Sequence, residues 1–236
     1  MFEPAVADGV LQVRRPGTRW LSTGLDGGFV DAPAAYNVSV PEGFERTDVA
    51  AYATERRRRA GFEAPGPALL TGVDLEHARG ARAEPVEVYA TVGLSNPTAL
   101  AVPPDAGPAD DRRSSLDGPG RAGTVNLVVG TTRALADGAL ATLLALVAEA
   151  KAATLTALAG FTGTTTDAVV VGTDPDGDPV RFAGSATPVG AAAMAAVRDA
   201  VAASFRSRYA DRMPPDSVTD AAYGRRLDRE ADVFEV

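Results

Sequence analysis

Between Gly138 and Thr166 the chain runs for 29 residues with only two charged side chains, Glu149 and Lys151. The rest is Ala, Leu, Thr, Val, Gly and Phe. A helix that is apolar nearly all round belongs in a protein interior. With Asp137 as cap and Gly160 as stop, the predicted helix covers Gly138 to Ala159. Leu140, Leu144, Val147, Leu155 and Leu158 form one stripe, and Lys151 falls on it. Glu149 lies about 200° around the helix from Lys151, among Thr142, Ala145, Leu146, Ala153 and Thr156, so the two charges cannot pair along the helix. A buried Lys or Glu is costly without a partner. Burial also moves carboxylic acids and amines towards acid–base use near neutrality. Both residues are therefore candidate catalytic groups, the alternatives being an ion pair with another element or a helix rim that is wetter than its composition suggests.

Around this helix the pattern is mixed. Gln12 to Ser22, Ala35 to Val40, Ala68 to Val73, Val86 to Leu94, Thr124 to Gly130 and Ala168 to Thr173 have strand character. Thr47 or Asp48 caps a helix reaching about Ala60, with four arginines, Arg56 to Arg59, spread around a solvated face. Asp176-Gly177 predicts a turn, with Val180 to Ala183 returning as a hairpin. Thr187-Pro188 opens a last helix to about Tyr209. The expected fold is α+β: one globular domain with a mixed or largely antiparallel sheet and long buried helices. That domain spans residues 1–211, with a Pro-, Gly- and Asp-rich mobile loop at about 103–122, and residues 212–236 read as a polar tail.

Composition narrows the chemistry. There are no cysteines, so thiolate nucleophiles and Cys-based metal sites are excluded, and the one histidine, His77, cannot build a multi-His zinc site. The net charge of −8 argues against a nucleic-acid binder. The N-terminus carries Glu3 and Asp8 without a basic cluster, and no membrane span is expected, so a cytoplasmic protein is expected. Of the 23 basic residues only Lys151 is a lysine, and Asp outnumbers Glu by 20 to 11. That balance leans towards a halophile, although a GC-rich genome also favours Arg over Lys.

Several loops carry polar groups suited to a ligand. Thr162 to Asp167 reads T-G-T-T-T-D: it clusters hydroxyls beside a carboxylate at a strand entrance. It is either a gripping loop, a self-bonded turn, or the home of an activated nucleophile at Thr164 or Thr165. Ser22 to Phe29 reads S-T-G-L-D-G-G-F and lacks the endings of a nucleotide loop. Asn96 and Asn126 offer amide donors for a carbonyl or oxyanion, or cap turns. His77, between Glu76 and Arg79, reads as an exposed loop residue.

Taken together these segments resemble the adenosylcobinamide amidohydrolase (CbiZ-type) family. The likeness is carried by S-T-G-L-D-G-G (Ser22 to Gly28), Y-N-V (Tyr36 to Val38), T-V-G-L-S-N-P (Thr91 to Pro97), G-T-V-N-L-V-V (Gly123 to Val129), E-A-K-A-A-T-L (Glu149 to Leu155) and T-G-T-T-T-D-A-V-V-V (Thr162 to Val171). The resemblance implies a corrinoid-salvage enzyme of archaeal type. Such an enzyme cleaves the aminopropanol amide of adenosylcobinamide to give adenosylcobyric acid. The cobalt arrives with the substrate, so no cofactor of the protein's own is expected. The expected partner is a small corrinoid, without nucleic acid or membrane, and a homo-oligomer is left open. On this reading Glu149 activates water and passes its proton to the amine, while Lys151 or Asn126 steadies the oxyanion or holds the substrate. Thr164, Thr165, Thr166, Asp167, Asn96, Ser22, Gly27, Gly28 and Asn37 hold the substrate. The competing readings are a non-catalytic corrinoid carrier and another amidase or acyl-transfer enzyme with a threonine nucleophile.

Overall fold

Successive side chains of a strand face opposite ways, and in this protein the two faces of the central strands carry different residues. The computed structural model describes residues 1–41, 43–100, 123–227 and 231–236. Its strands are β1 (Glu3–Ala7), β2 (Val10–Arg14), β3 (Arg19–Ser22), β4 (Gly28–Asp31), β5 (Ala34–Ser39), β6 (Ala68–Thr71), β7 (Arg79–Ala83), β8 (Val86–Val92), β9 (Pro97–Leu100), β10 (Val125–Thr131), β11 (Ala134–Leu135), β12 (Gly163–Thr164), β13 (Ala168–Thr173), β14 (Pro179–Val180) and β15 (Arg225–Leu227). Its helices are α1 (Val49–Arg59), α2 (Asp137–Ala159) and α3 (Pro188–Arg208).

The central sheet has the order β4-β3-β13-β10-β8-β7, and only β10 and β13 run parallel in it. A second sheet, β1-β2-β5-β6, is antiparallel except for its β5–β6 pair. One face of the central sheet (Val88, Val92, Leu127, Val129 and Val171) buries Leu140, Leu143 and Val147 of α2 with Val197 and Val201 of α3. The other face presents Trp20, Val128 and Val170 to Leu11, Val13 and Leu69 of the second sheet. The outer side of that sheet (Val10, Tyr36 and Val38) packs on Tyr52 of α1. The layers therefore run helix, sheet, sheet, helix, and the α+β class with a mixed, mainly antiparallel central sheet is borne out. Each fully buried Leu or Val contributes about 1.5–3 kcal/mol, so the two faces of the central sheet hold most of the apolar driving force. On that face a Cβ on Gly130 of β10 would lie 2.3 Å from the Phe2 ring, so a larger residue there would have to displace the ring.

Three local expectations need correction. Asp137 is the first residue of α2 rather than its cap, and its carboxylate pairs with Arg19, whose Nε donates at 3.1 Å. The segment after Asp176-Gly177 does not return along β13, because both edges of β13 are already occupied, by β10 and by β3. It runs instead beside residues 132–135, where β14 pairs in parallel with β11. The arginine run is only partly solvated: Arg56 donates to Asp8 O at 2.6 Å and Arg57 to Glu63 O at 2.7 Å.

By length and composition α2 is apolar enough to cross a membrane, but here it packs between β13 and α3. The expected loop at about 103–122 lies outside the described residues. From the 212–236 segment, β15 pairs in parallel with β9, and residues 213–216 and 220–222 help wall a cleft of about 410 Å³ with Tyr209. Burial raises the Tyr209 hydroxyl pKa, opposed by the Leu94 N–H that donates to it. On β8, buried Glu87 accepts from Arg82 Nε and from Tyr89 OH, both at 2.9 Å. Burial first, and then the Glu87 hydrogen bond, push the Tyr89 phenol well above the ordinary tyrosine value.

Candidate functional site

The apolar character of the central sheet breaks off at one end, where β10 and β13 begin. Lys151 projects from α2 into this end and pairs with Asp167, in the turn that leads into β13. Both side chains are only 11% exposed. An ammonium taken this far from water needs such a partner. Asp167 collects four donors. Its Oδ1 accepts from Val125 N at 2.8 Å and from the Thr164 hydroxyl. Its Oδ2 accepts from Lys151 Nζ and from Thr164 N at 3.1 Å. A Cβ on Gly163 would stand 2.3 Å from Asp167 Oδ2 and 2.7 Å from Lys151 Nζ, so a side chain at residue 163 would push into the pair.

Next to this cluster, the Thr164 and Thr166 hydroxyls reach Gly123 O at 3.3 and 3.0 Å. Asn96 Nδ2 donates to the Thr165 hydroxyl at 2.6 Å and to the Thr166 hydroxyl at 3.2 Å. Thr165 and Thr166 are exposed while Asn96 is buried, so the asparagine orients the hydroxyls from behind.

Between the sheets lies a second layer of polar groups. Asn126 Nδ2 donates to Leu70 O at 2.8 Å and to Asn37 Oδ1 at 2.9 Å, and Asn37 Nδ2 donates to Thr91 Oγ1 at 2.9 Å. A flipped Asn126 amide would turn its oxygen onto the Leu70 carbonyl, so the orientation is fixed. Thr124 bonds to Thr71 at 3.2 Å. Two buried acceptors, Asn126 Oδ1 and Asn96 Oδ1, have no hydrogen-bond partner among the described residues. Buried acceptors are rarely left so, since each costs about 1–3 kcal/mol.

The structure thus joins Lys151, Asp167 and Thr164 in one cluster, Asn96, Thr165 and Thr166 in a second, and Asn126 with Asn37 in a third. The Val125 N–H bond to Asp167 ties the third to the first. Ser22 is buried at the end of β3 and accepts from Gly24 N at 3.0 Å; Gly27 is exposed in the turn to β4, and Gly28 is exposed as the first residue of that strand. That turn hangs over the same end of the sheet, since Thr23 bonds to Val169. Glu149 is not brought in. It is exposed, on the solvent side of α2 with Ala145, Ala153 and Thr156, and it points away from the Lys151 cluster. His77 is half-buried rather than exposed: its Nδ1 lies 3.1 Å from Ser207 Oγ on α3.

Sequence reasoning missed Thr71, Thr91 and Thr124. Strand alternation alone put Thr91 on the same face as Glu87 and Tyr89, a run of polar inward positions in an otherwise apolar strand. That was the available signal.

A family model described as adenosylcobinamide amidohydrolase matches residues 3–213 of the chain. The adenosylcobinamide amidohydrolase of Halobacterium salinarum is 54% identical over 237 residues, covering 99% of each chain. That of Methanosarcina mazei is 28% identical over 180 residues, 72% of this chain and 81% of its own.

Proposed function

The chain belongs to the adenosylcobinamide amidohydrolase family, and from this premise we infer that it hydrolyses the amide joining aminopropanol to the corrin side chain of adenosylcobinamide. One water is consumed, and the products are adenosylcobyric acid and aminopropanol. The reaction belongs to corrinoid salvage, because it returns a corrinoid acid to cobamide assembly. The observation that carries this reading is the 54% identity to the Halobacterium salinarum enzyme along 99% of both chains.

The site is proposed at the polar end of β10 and β13. Amide hydrolysis needs charge to meet the oxyanion and a proton for the leaving amine. Lys151 is the only ammonium side chain in the protein, and Asp167 holds it beside a threonine hydroxyl. Its remaining N–H donors suit a developing oxyanion. The exposed Thr165 and Thr166 hydroxyls suit the peripheral amides of a corrin. The Gly27-Gly28 turn leaves bare backbone for a flat macrocycle. Asn37, Asn96 and Asn126 are buried and act as positioning residues behind these groups. The cobalt belongs to the substrate, and the working partner is that small corrinoid, met in the cytoplasm.

The test is to incubate the purified protein with adenosylcobinamide in high-salt buffer and detect both products by mass. Their appearance at equal amounts is expected. A folded protein that binds the corrinoid and releases neither product is a carrier, and the hydrolase reading fails.

A further inference from the structure

Three hydroxyls crowd the turn between β12 and β13, and they differ in what holds them. Thr165 accepts from Asn96 Nδ2. Thr166 donates to the Gly123 carbonyl. Of the three, only Thr164 is bonded to a carboxylate among the described residues, through its hydroxyl to Asp167 Oδ1. That carboxylate cannot swing away. Val125 N and Thr164 N fix it from the backbone, at 2.8 and 3.1 Å. Its other oxygen carries Lys151, and Gly163 leaves the space in which the two meet. A hydroxyl bonded to a base that a third group orients is the arrangement of an activated nucleophile. Thr164 is 9% exposed, between buried Gly163 and exposed Thr165, so it stands at the wall of the site and not beneath it.

We propose that Thr164 is the nucleophile of the reaction, and that hydrolysis passes through an ester between its Oγ1 and the corrin-side acyl group. The proposal rests on the hydrolase reading above. In the first step the Oγ1–C bond forms while the hydroxyl proton passes to Asp167, and the carbonyl oxygen becomes an oxyanion beside the Lys151 ammonium. The C–N bond then breaks, the nitrogen takes the proton from Asp167, and aminopropanol leaves as a neutral amine. Water next adds to the ester carbonyl and gives a proton to Asp167. The C–Oγ1 bond breaks, Oγ1 recovers that proton, and adenosylcobyric acid is released. One water is consumed, and protein and proton inventory return to the start.

Full-length wild type, Thr164→Val and Thr164→Ser are mixed with adenosylcobinamide. Aminopropanol is timed, and acid-quenched samples are digested for peptide mass. Thr164→Val keeps the side-chain shape without the hydroxyl and is expected to lose at least about 10³-fold in kcat. Thr164→Ser is expected to retain turnover. In wild type the quenched peptide containing Thr164 should carry the acyl mass, and added hydroxylamine should divert product into the hydroxamate. If Thr164→Val proves unstable, the serine variant's activity and the mass of its acylated peptide decide. A folded Thr164→Val turning over within about tenfold of wild type overturns the proposal, as does acyl mass on another residue. If wild type releases no aminopropanol at all, the hydrolase reading falls, a failure separate from turnover without an ester.

Discussion

Replacing Asp167 by Asn is the sharpest test of how this end of the molecule is held together. The native carboxylate accepts four hydrogen bonds, two on each oxygen. If the asparagine oxygen keeps the Val125 N–H and the Thr164 hydroxyl, its NH₂ is forced against two other donors, Lys151 Nζ and Thr164 N. The 11%-exposed lysine then has lost its counter-charge. Removing one partner of a buried pair costs about 3–5 kcal/mol. For a chain of this size each kcal/mol lowers Tm by about 2–4 °C, so a fall of about 6–20 °C is expected by calorimetry. The loss should persist at high salt, because buried pairs are screened far less than surface ones. Lys151→Met in the Asp167→Asn background should recover part of it, and the cycle should show coupling of about 0.5–3 kcal/mol. A Tm within about 2 °C of wild type, or strict additivity of the two substitutions, would refute the reasoning.

Glu149→Gln should leave kcat within about twofold of wild type, because the side chain is exposed on the far side of α2; a collapse of turnover would return the carboxylate to the mechanism. Asn126→Ala removes the donor shared by Leu70 O and Asn37 Oδ1. It should cost about 2–4 kcal/mol in urea titration at unchanged m-value, and a neutral result would mean that solvent serves those acceptors. Tyr89 has its phenol pKa raised by burial and by Glu87. Its neutral form is therefore favoured in the folded state. The stability this contributes is complete below the unfolded tyrosine value near 10 and is lost as pH rises towards the folded one. Difference absorbance at about pH 11 should thus show the same tyrosinate signal in wild type and in Tyr89→Phe, and Tyr89→Phe should flatten part of the alkaline Tm loss. Ionisation of Tyr89 near pH 10 would contradict this.

Much of the architecture was legible because it is written locally. Gly160 and the near-absence of charge fix the end and the burial of α2, and Pro188 after Thr187 fixes the start of α3. Thr187 caps α3 as expected, accepting from Gly190 N at 3.0 Å. What failed depends on neighbours. Val180 has no hairpin partner because β3 and β10 occupy both edges of β13, and no local pattern records that. Glu149 was read as buried because Ala and Thr count as non-charged, yet Ala145, Ala153 and Thr156 sit comfortably in water. Lys151 fared better, since the alternative of an ion pair with another element is what the structure shows. The asparagines were recognised one at a time from their motifs. Their meeting, Asn37 with Asn126 across two sheets, depends on how those sheets stack, which strand periodicity leaves open.

The Val125 amide binds a side chain rather than a ladder carbonyl. Val125 opens β10, Lys151 rides on the helix that crosses from β10 to β13, and Asp167 stands just before β13. One strand–helix–strand unit therefore carries both the parallel register and the charged cluster. Hydrogen–deuterium exchange at this single amide reads out the integrity of the cluster without substrate. Opening of the unit parts Val125 from Asp167 and β10 from β13 together, so exchange at this amide reports on both.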